Sequence, residues 1–196
     1  MAAGLPLQVG VKTWTRTLIA LATAAILAST LEAAPIPGFH VVGQSEHFLF
    51  YSRQSRKIDT RANESFLMKT AQLMDQGPGT QTAYYLHDYA DDIAAVTGVY
   101  SSGMTELTTG DIHSTRTFHP HEIVHRIAAA LGDPGTFFHE GLAVSLGDKG
   151  MQEGVAVDAL AKVAIRTFKL RQATDDFAHL DPHVAYPMAE IGRAHV

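Results

Sequence analysis

The order of apolar and polar positions along the chain predicts strands in its first half. Residues 47–51 and 82–86 are short runs of aromatic and apolar residues with little charge, which is typical of strands. Residues 112–118 alternate and include β-branched threonines, which predicts a third strand at an edge of the sheet. Residues 59–76 have apolar side chains at helical spacing and end in a glycine–proline–glycine turn, which predicts a helix.

The second half of the chain has the spacing of helices. The predicted helix over residues 119–131 has proline at its favoured first position, and glycines within 132–135 end it. Its apolar spine recurs every four residues and consists of Ile123, Ile127 and Leu131. Two further helices are predicted over residues 136–146, capped by Thr136, and over residues 155–170. Strands followed by helices predict an α+β fold, a small mixed sheet followed by a helical layer.

The first 33 residues are predicted to be an export signal. Lys12 and Arg16 precede an apolar run over residues 18–28, and small residues follow before Pro35. This run is too short to cross a bilayer, which needs about 20 apolar residues. An uncleaved anchor or a buried helix is the alternative interpretation. We therefore expect a periplasmic or extracellular protein with no stable membrane span after cleavage.

Residues 34–189 contain no repeat and no low-complexity linker, which predicts a single domain. Residues 190–196 read as the in-frame translation of a common sequencing adapter. We therefore expect read-through after a C-terminal truncation, with a genuine short tail as the alternative. Loss of the following helices could also leave the truncated chain unable to fold.

Composition excludes several classes of protein. The chain has 196 residues, of which 46% are hydrophobic and 18% charged, so a disordered or collagen-like protein is excluded. A formal net charge of −5 argues against a nucleic-acid partner, which would need a clustered basic surface. The absence of cysteine excludes disulfides, thiolate metal sites and cysteine nucleophiles. The eleven histidines therefore include the best candidates for metal ligands.

The most informative stretch is His121-Glu122-Ile123-Val124-His125. Residues four apart on a helix lie one above the other, so both imidazoles can bind one metal ion. The apolar spine lies on the opposite side, which leaves the histidines facing a cleft. Glu122 follows the first histidine directly, where its carboxylate can reach a water molecule rather than the metal.

A catalytic zinc site needs a third protein ligand and an open position. Glu140 lies on the next predicted helix, which the glycine-rich turn folds back against the first. The small residues Gly141 and Ala143 would let the two helices approach closely. Two histidines and one carboxylate predict one Zn²⁺ per chain, with cobalt or manganese as alternative occupants.

A helix carrying HExxH, followed by a helix carrying Glu140-Gly141-Leu142-Ala143, resembles the gluzincin metallopeptidases of the thermolysin-like superfamily. The closest likeness is to the small bacterial peptidase MA-like domains. It extends upstream through His47-Phe48, residues 84–87 and Thr97-Gly98, and it covers most of residues 45–189. The resemblance implies a zincin-like fold, in which the zinc ligands are His121, His125 and Glu140 and the general base is Glu122.

The sequence departs from this family at two points. Members often have an acid four residues after the glutamate ligand, which orients a ligand histidine, and Val144 stands there in this chain. The orienting contact must therefore come from elsewhere. The family also continues with further helix beyond the expected truncation. Tyr186 stands where an oxyanion-stabilising tyrosine could fall.

These features predict an exported zinc peptidase that acts on a peptide or protein substrate. The strand over residues 112–118 is expected to hold an extended peptide by backbone pairing, with His113 and Thr115 as candidate substrate contacts. A solvated strand position is the alternative for His113. The competing function is a non-catalytic cell-envelope binding or assembly module. In such a module a fourth protein ligand would close the zinc site, and the candidates are His113, His119 and Asp148. The oligomeric state is left open.

Two other histidines near the motif receive structural interpretations. His119 precedes the first helical residue and is expected to cap the helix rather than bind metal. His139 precedes Glu140 but points about 100° away from it on a helix, so we expect it to pack or cap.

Overall fold

The computed structural model describes residues 36–132, 135–152, 154–167 and 170–194, and the predicted export signal lies outside them. The strands are β1 (His40–Gln44), β2 (Phe48–Ser52), β3 (Thr82–Leu86), β4 (Gly103–Thr105), β5 (Ile112–Ser114), β6 (Met151–Gln152) and β7 (Val155–Ala156). The helices are α1 (Thr60–Leu73), α2 (Ala90–Thr97), α3 (Pro120–Ala128), α4 (Thr136–Leu146), α5 (Val157–Thr167), α6 (Leu170–Asp175) and α7 (Pro182–Ala194). Among these residues, no helix combines the length and apolar character that crossing a membrane requires.

Five strands form one mixed sheet in the order β1-β2-β3-β5-β4. The three central strands, β2, β3 and β5, run parallel, and the outer strands β1 and β4 pair antiparallel to their neighbours. Strands β6 and β7 form a separate two-stranded hairpin. The small mixed sheet followed by helices confirms the predicted α+β class.

One face of the sheet forms the main core. Alternate residues of the central strands point to this face, where Phe48, Phe50, Tyr84 and Ile112 are fully buried. The helices α1 and α3 cover them with Leu67, Ala71, Ile123 and Ile127. Helix α3 is therefore held against the sheet by its apolar side. Its other side is left available for functional side chains.

The opposite face of the sheet carries a row of stacked rings. Tyr85 stacks between Tyr51 and His113, with ring centroids 5.1 and 5.0 Å apart. His113 also contacts His87 through a hydrogen bond of 3.0 Å between Nδ1 and Nε2. All four side chains are buried, so this face is a second packed layer.

The structure confirms two of the predicted strands and the first helix. Residues 48–52 and 82–86 form β2 and β3, and α1 begins after Asp59, whose side chain accepts a hydrogen bond from the Ala62 N–H. Helix α1 ends at Leu73, three residues before the predicted end. These elements have clear local patterns and turn residues at their ends.

The strand predicted over residues 112–118 is confirmed only over Ile112–Ser114, and its predicted position at an edge of the sheet is wrong. Strand β5 has only three residues and pairs with β3 on one side and β4 on the other. The chain then turns, because the Ser114 hydroxyl accepts the Arg116 N–H and the Asn63 side chain binds the Thr117 carbonyl. A paired strand offers no free edge to a peptide. The edge strand on this side is β4, which the sequence pattern does not predict.

Helix α3 begins with Pro120 at its first position, as predicted, and continues as a 3-10 turn over residues 129–131. Ile123 and Ile127 are buried, but Leu131 is 54% exposed, so the predicted spine is wrong at its last position. The tighter 3-10 turn rotates Leu131 out of the four-residue row. His119 occupies the N-cap position, although its side chain makes no cap hydrogen bond.

Helix α4 has the predicted bounds, but Gly135 rather than Thr136 is its N-cap residue. The helix predicted over residues 155–170 is confirmed over Val157–Thr167, which is α5, but its first two residues belong to β7. The long C-terminal helix α7 packs on α4 in a second apolar cluster, whose members include Phe137, Phe177 and Met188. This cluster holds α4 against α7.

Candidate metal centre

Helices α3 and α4 bring together the three predicted metal ligands. The Nε2 atom of His121 lies 3.2 Å from Oε2 of Glu140, and Nε2 of His125 lies 3.5 Å from Oε1 of the same carboxylate. The three residues present ligand atoms that all lie within 4.8 Å of one another. We call these three residues the metal triad.

The spacing of the metal triad fits a single small cation. Zinc binds nitrogen and oxygen at about 2.0–2.2 Å, so tetrahedral ligand atoms lie about 3.3 Å apart. The two histidine–glutamate separations, 3.2 and 3.5 Å, agree with that value. The two imidazole rings are inclined by 73° with centroids 4.8 Å apart, so they converge rather than stack. The metal triad could therefore hold a metal ion.

A glycine allows the two ligand helices to come this close. A Cβ atom built on Gly147, just after α4, would lie 2.6 Å from the His121 Cα and 2.7 Å from the Ala143 carbonyl oxygen. Any larger residue would push the end of α4 away from the start of α3. The sequence predicted close approach through Gly141 and Ala143, and both are buried, but it did not single out Gly147.

The outer nitrogen of His121 has a carboxylate partner. Asp148, just after α4, has its Oδ2 atom 2.7 Å from His121 Nδ1. A proton on Nδ1 donates to this carboxylate and leaves the lone pair of Nε2 free to face a metal. The usual position of the orienting acid is occupied by Val144 in this chain. Asp148 therefore supplies the orienting contact instead. The Asp148 carboxylate does not lie among the ligand atoms of the metal triad. It is therefore not the fourth ligand that the alternative function would need.

Charge coupling within the metal triad alters the pKa values. Burial alone would lower the pKa of His121. The hydrogen bonds to Asp148 and Glu140 outweigh burial and raise this pKa to about 10. Burial raises the pKa of Glu140, but the two histidines lower it to about 2. Without a metal the triad is thus a compact ion pair. A divalent cation would take the place of the protons, because the ligand nitrogens must be deprotonated to bind it.

The predicted base, Glu122, lies beside the metal triad in a nearly dry environment. Its side chain is buried, and burial raises its pKa. The Thr105 hydroxyl lies 2.8 Å from Glu122 Oε2 and fixes the carboxylate. Thr105 belongs to the edge strand β4, so sequence reasoning had no local signal with which to find it.

A second glycine brings the edge strand against Glu122. A Cβ atom on Gly103 would lie 2.6 Å from Glu122 Oε1 and 2.5 Å from His119 Nδ1. The His119 nitrogen is itself 2.9 Å from the Ser114 hydroxyl. Gly103 therefore leaves room for the Glu122 carboxylate between β4 and α3, and it too was missed from the sequence.

The metal triad opens into a cleft with two lobes. The first lobe has a volume of about 400 Å³ and contains all three members of the triad. The second has a volume of about 310 Å³ and reaches the same centre at His121. Both are lined by Ser101, His121, Glu122 and Tyr186. A chain longer than the centre itself could therefore lie across it.

Of the remaining predicted site residues, Tyr186 lies in the cleft, whereas His113 and Thr115 do not. The Tyr186 ring centroid is 6.5 Å from that of His121, and burial raises the Tyr186 pKa. His113 lies on the far face of the sheet, buried against Tyr85. The Thr115 hydroxyl donates to the Ser102 carbonyl at 3.1 Å and lines neither lobe.

His139 packs as expected. Its side chain is buried with its ring centroid 6.0 Å from that of His125, and it lines the first lobe. A second acidic and histidine group, formed by Glu46, His47 and Glu64, also brings its ligand atoms together. There the His47 ring is already hydrogen-bonded to Glu64, and Glu46 is exposed, so the group is satisfied without a metal.

No family model, curated protein or solved structure matches this chain. The function must therefore be inferred from the residues and the geometry of the site. Three features carry that inference: the convergent metal triad, the buried carboxylate of Glu122 and the open two-lobed cleft.

Proposed function

We propose that the protein is an exported zinc-dependent peptidase with Glu122 as its general base. The observation that carries this proposal is the position of Glu122. Its carboxylate is buried beside the metal triad, oriented by Thr105, and lines both lobes of the cleft. A purely structural metal site has no use for such a carboxylate, whereas hydrolysis requires one.

The metal triad would hold Zn²⁺, which when bound supplies a Lewis acid that polarises a carbonyl and makes water more acidic. Glu122 accepts a proton from the attacking water as the new C–O bond forms. It then delivers that proton to the leaving nitrogen as the C–N bond breaks, so the products are an amine and a carboxylic acid, which ionises by giving its proton to water or to the amine. Tyr186 lines the same cleft, and its hydroxyl would donate to the oxyanion.

The alternative, a closed structural zinc, needs a fourth protein ligand. Of the three candidates, His113 lies on the far side of the sheet, and His119 directs Nδ1 to Ser114. The third, Asp148, binds the outer nitrogen of His121. Among the described residues, none of them joins the ligand atoms of the metal triad. This favours an open position and hence catalysis.

The test compares zinc content and peptide cleavage in the full chain and in its Glu122→Gln variant. Because Glu122 is a base and not a ligand, the variant should keep one zinc per chain and lose at least about 100-fold in turnover. Glu46→Gln, at an exposed glutamate, is the matched control and should change neither quantity. A Glu122→Gln protein that binds zinc and cleaves at the wild-type rate would overturn the proposal.

A further inference from the structure

The two lobes of the cleft differ in chemistry. The first, which we call the apolar lobe, has a wall formed by Val99, Tyr100, Met104 and Leu107. Three of these side chains, those of Val99, Tyr100 and Leu107, are exposed despite being large and hydrophobic. Exposed apolar side chains gathered around a cleft indicate a binding surface. The apolar lobe is thus suited to an apolar side chain of a substrate.

The second lobe, which we call the polar lobe, has hydroxyl and charged groups beside the apolar side chains of Val144 and Met151. The polar groups include Ser101, Ser102 and Arg116. Arg116 is the only lysine or arginine among the described residues that line either lobe. The acidic groups that share the polar lobe are engaged elsewhere, Asp148 with His121 and Glu122 with Thr105.

Arg116 is exposed, and within the described part of the chain its guanidinium has no ion-pair partner. Its backbone, in contrast, is anchored at both ends. The Arg116 N–H donates to the Ser114 hydroxyl at 2.9 Å, and its carbonyl accepts from the Tyr84 hydroxyl at 2.6 Å. Tyr84 is fully buried in the core. A free cation on a fixed backbone loses less freedom when it binds a ligand.

We infer that Arg116 recognises a carboxylate of the substrate in the polar lobe, beside the bond that is cleaved. This inference rests on the proposed peptidase function. The planar guanidinium suits a carboxylate, which it can bind through two parallel hydrogen bonds. Such a carboxylate comes either from an aspartate or glutamate side chain or from the free C-terminus of the peptide. The polar lobe therefore selects acidic peptides or peptide ends.

The experiment uses peptides that differ only in Glu, Gln or Lys beside a common leucine, each with a free and an amidated C-terminus. Cleavage by the zinc-loaded full chain gives kcat/KM, and binding to its Glu122→Gln variant gives affinity without turnover. The carboxylate that Arg116 recognises should improve both quantities about tenfold, as expected for a charge-assisted hydrogen bond. A preference for Glu identifies the side chain, and a preference for the free C-terminus identifies the peptide end.

The variants then assign that preference to Arg116. Arg116→Gln should abolish it, Arg116→Lys should keep part of it, and Arg116→Glu should turn it towards the lysine peptide. Arg171→Gln removes an exposed arginine that lines neither lobe and should change nothing. A preference that survives in Arg116→Gln, or no carboxylate preference at all, overturns the inference.

Failure of the two proposals can be distinguished. If no peptide is cleaved in a zinc-dependent manner, the peptidase function fails, and the binding measurement still decides whether Arg116 recognises a carboxylate. If peptides are cleaved equally well with and without a carboxylate, only the role of Arg116 fails.

Discussion

Asp148 Oδ2 lies 2.7 Å from Nδ1 of His121, on the opposite side of the imidazole from Glu140. Both ring nitrogens of His121 thus contact a carboxylate. Asp148 orients the ring at Nδ1, and the ligand Glu140 lies at Nε2. Asp148 directly follows Gly147, the residue that permits the ends of α3 and α4 to meet. Two adjacent residues, Gly147 and Asp148, therefore account for the close approach of the helices and for the orientation of the His121 ring.

This contact predicts the effect of removing the orienting acid. Asp148→Asn and Asp148→Ala should weaken zinc binding about 10- to 100-fold, because the His121 ring loses its fixed tautomer and orientation. Competition with a chromogenic chelator measures the affinity. Asp158→Asn, at an exposed position in the first turn of α5, is the matched control. An unchanged zinc affinity in both Asp148 variants would show that the contact has no part in metal binding.

The close packing of β4 against α3 predicts a strong effect at Gly103. In Gly103→Ala the new methyl group meets the Glu122 carboxylate and the His119 ring. We expect a loss of about 1–3 kcal/mol in the free energy of unfolding, since neither buried group can move far. Because even a small displacement of the Glu122 carboxylate misplaces the base, kcat should fall at least about tenfold while bound zinc stays at one per chain.

The control for Gly103 is Gly77→Ala, because a Cβ atom at Gly77 has no neighbour within 4 Å. Thermal unfolding, zinc content and kcat are measured on both variants. Gly103→Ala with wild-type stability and wild-type kcat would contradict the position of β4.

The ring layer on the far face of the sheet predicts a loss of stability in acid. Burial, together with the charges of His113 and Arg53, lowers the pKa of His87 to about 4, although Asp92 and Asp88 oppose this shift. Burial also lowers the pKa of His113. An unfolded histidine titrates near 6.5, so between pH 6.5 and 4 the unfolded chain binds protons that the folded chain does not. The stability contributed by neutral His87 is complete above pH 6.5 and is lost as the pH falls towards 4.

Urea unfolding between pH 7 and pH 4 measures this effect. The His87→Gln variant lacks the titrating group, so its midpoint should fall less over that range than the wild-type midpoint. His183→Gln, at an exposed position, should follow the wild type. An equal pH dependence in wild type and His87→Gln would mean that His87 does not stay neutral in the fold.

The sequence predicted those parts of the site that depend on local spacing. His121, Glu122 and His125 share one helix, so helical geometry alone brings them near one another. Glu140 follows on the next helix, which a short turn folds back. The two helix boundaries also have plain signals, Pro120 at the start of α3 and glycines between the helices.

The parts that the sequence missed depend on tertiary contacts. Thr105 and Gly103 belong to a three-residue strand, which is too short to show an alternating pattern, and they reach Glu122 only through sheet pairing. His113 alternates correctly for a strand, but the pattern does not say which face meets α3. The edge position of β4 likewise follows from strand order, which the chain sequence does not encode locally.

The most direct test of the central claim is the zinc content of the purified full chain and of two triad variants, His121→Ala and Glu140→Ala. Elemental analysis gives the metal per chain, and circular dichroism shows that each protein is folded. His183→Ala, which removes an exposed histidine outside the cleft, is the control. We predict one zinc in the wild type and the control and none in the two triad variants. A folded wild type without zinc, or triad variants that retain it, would contradict the metal centre.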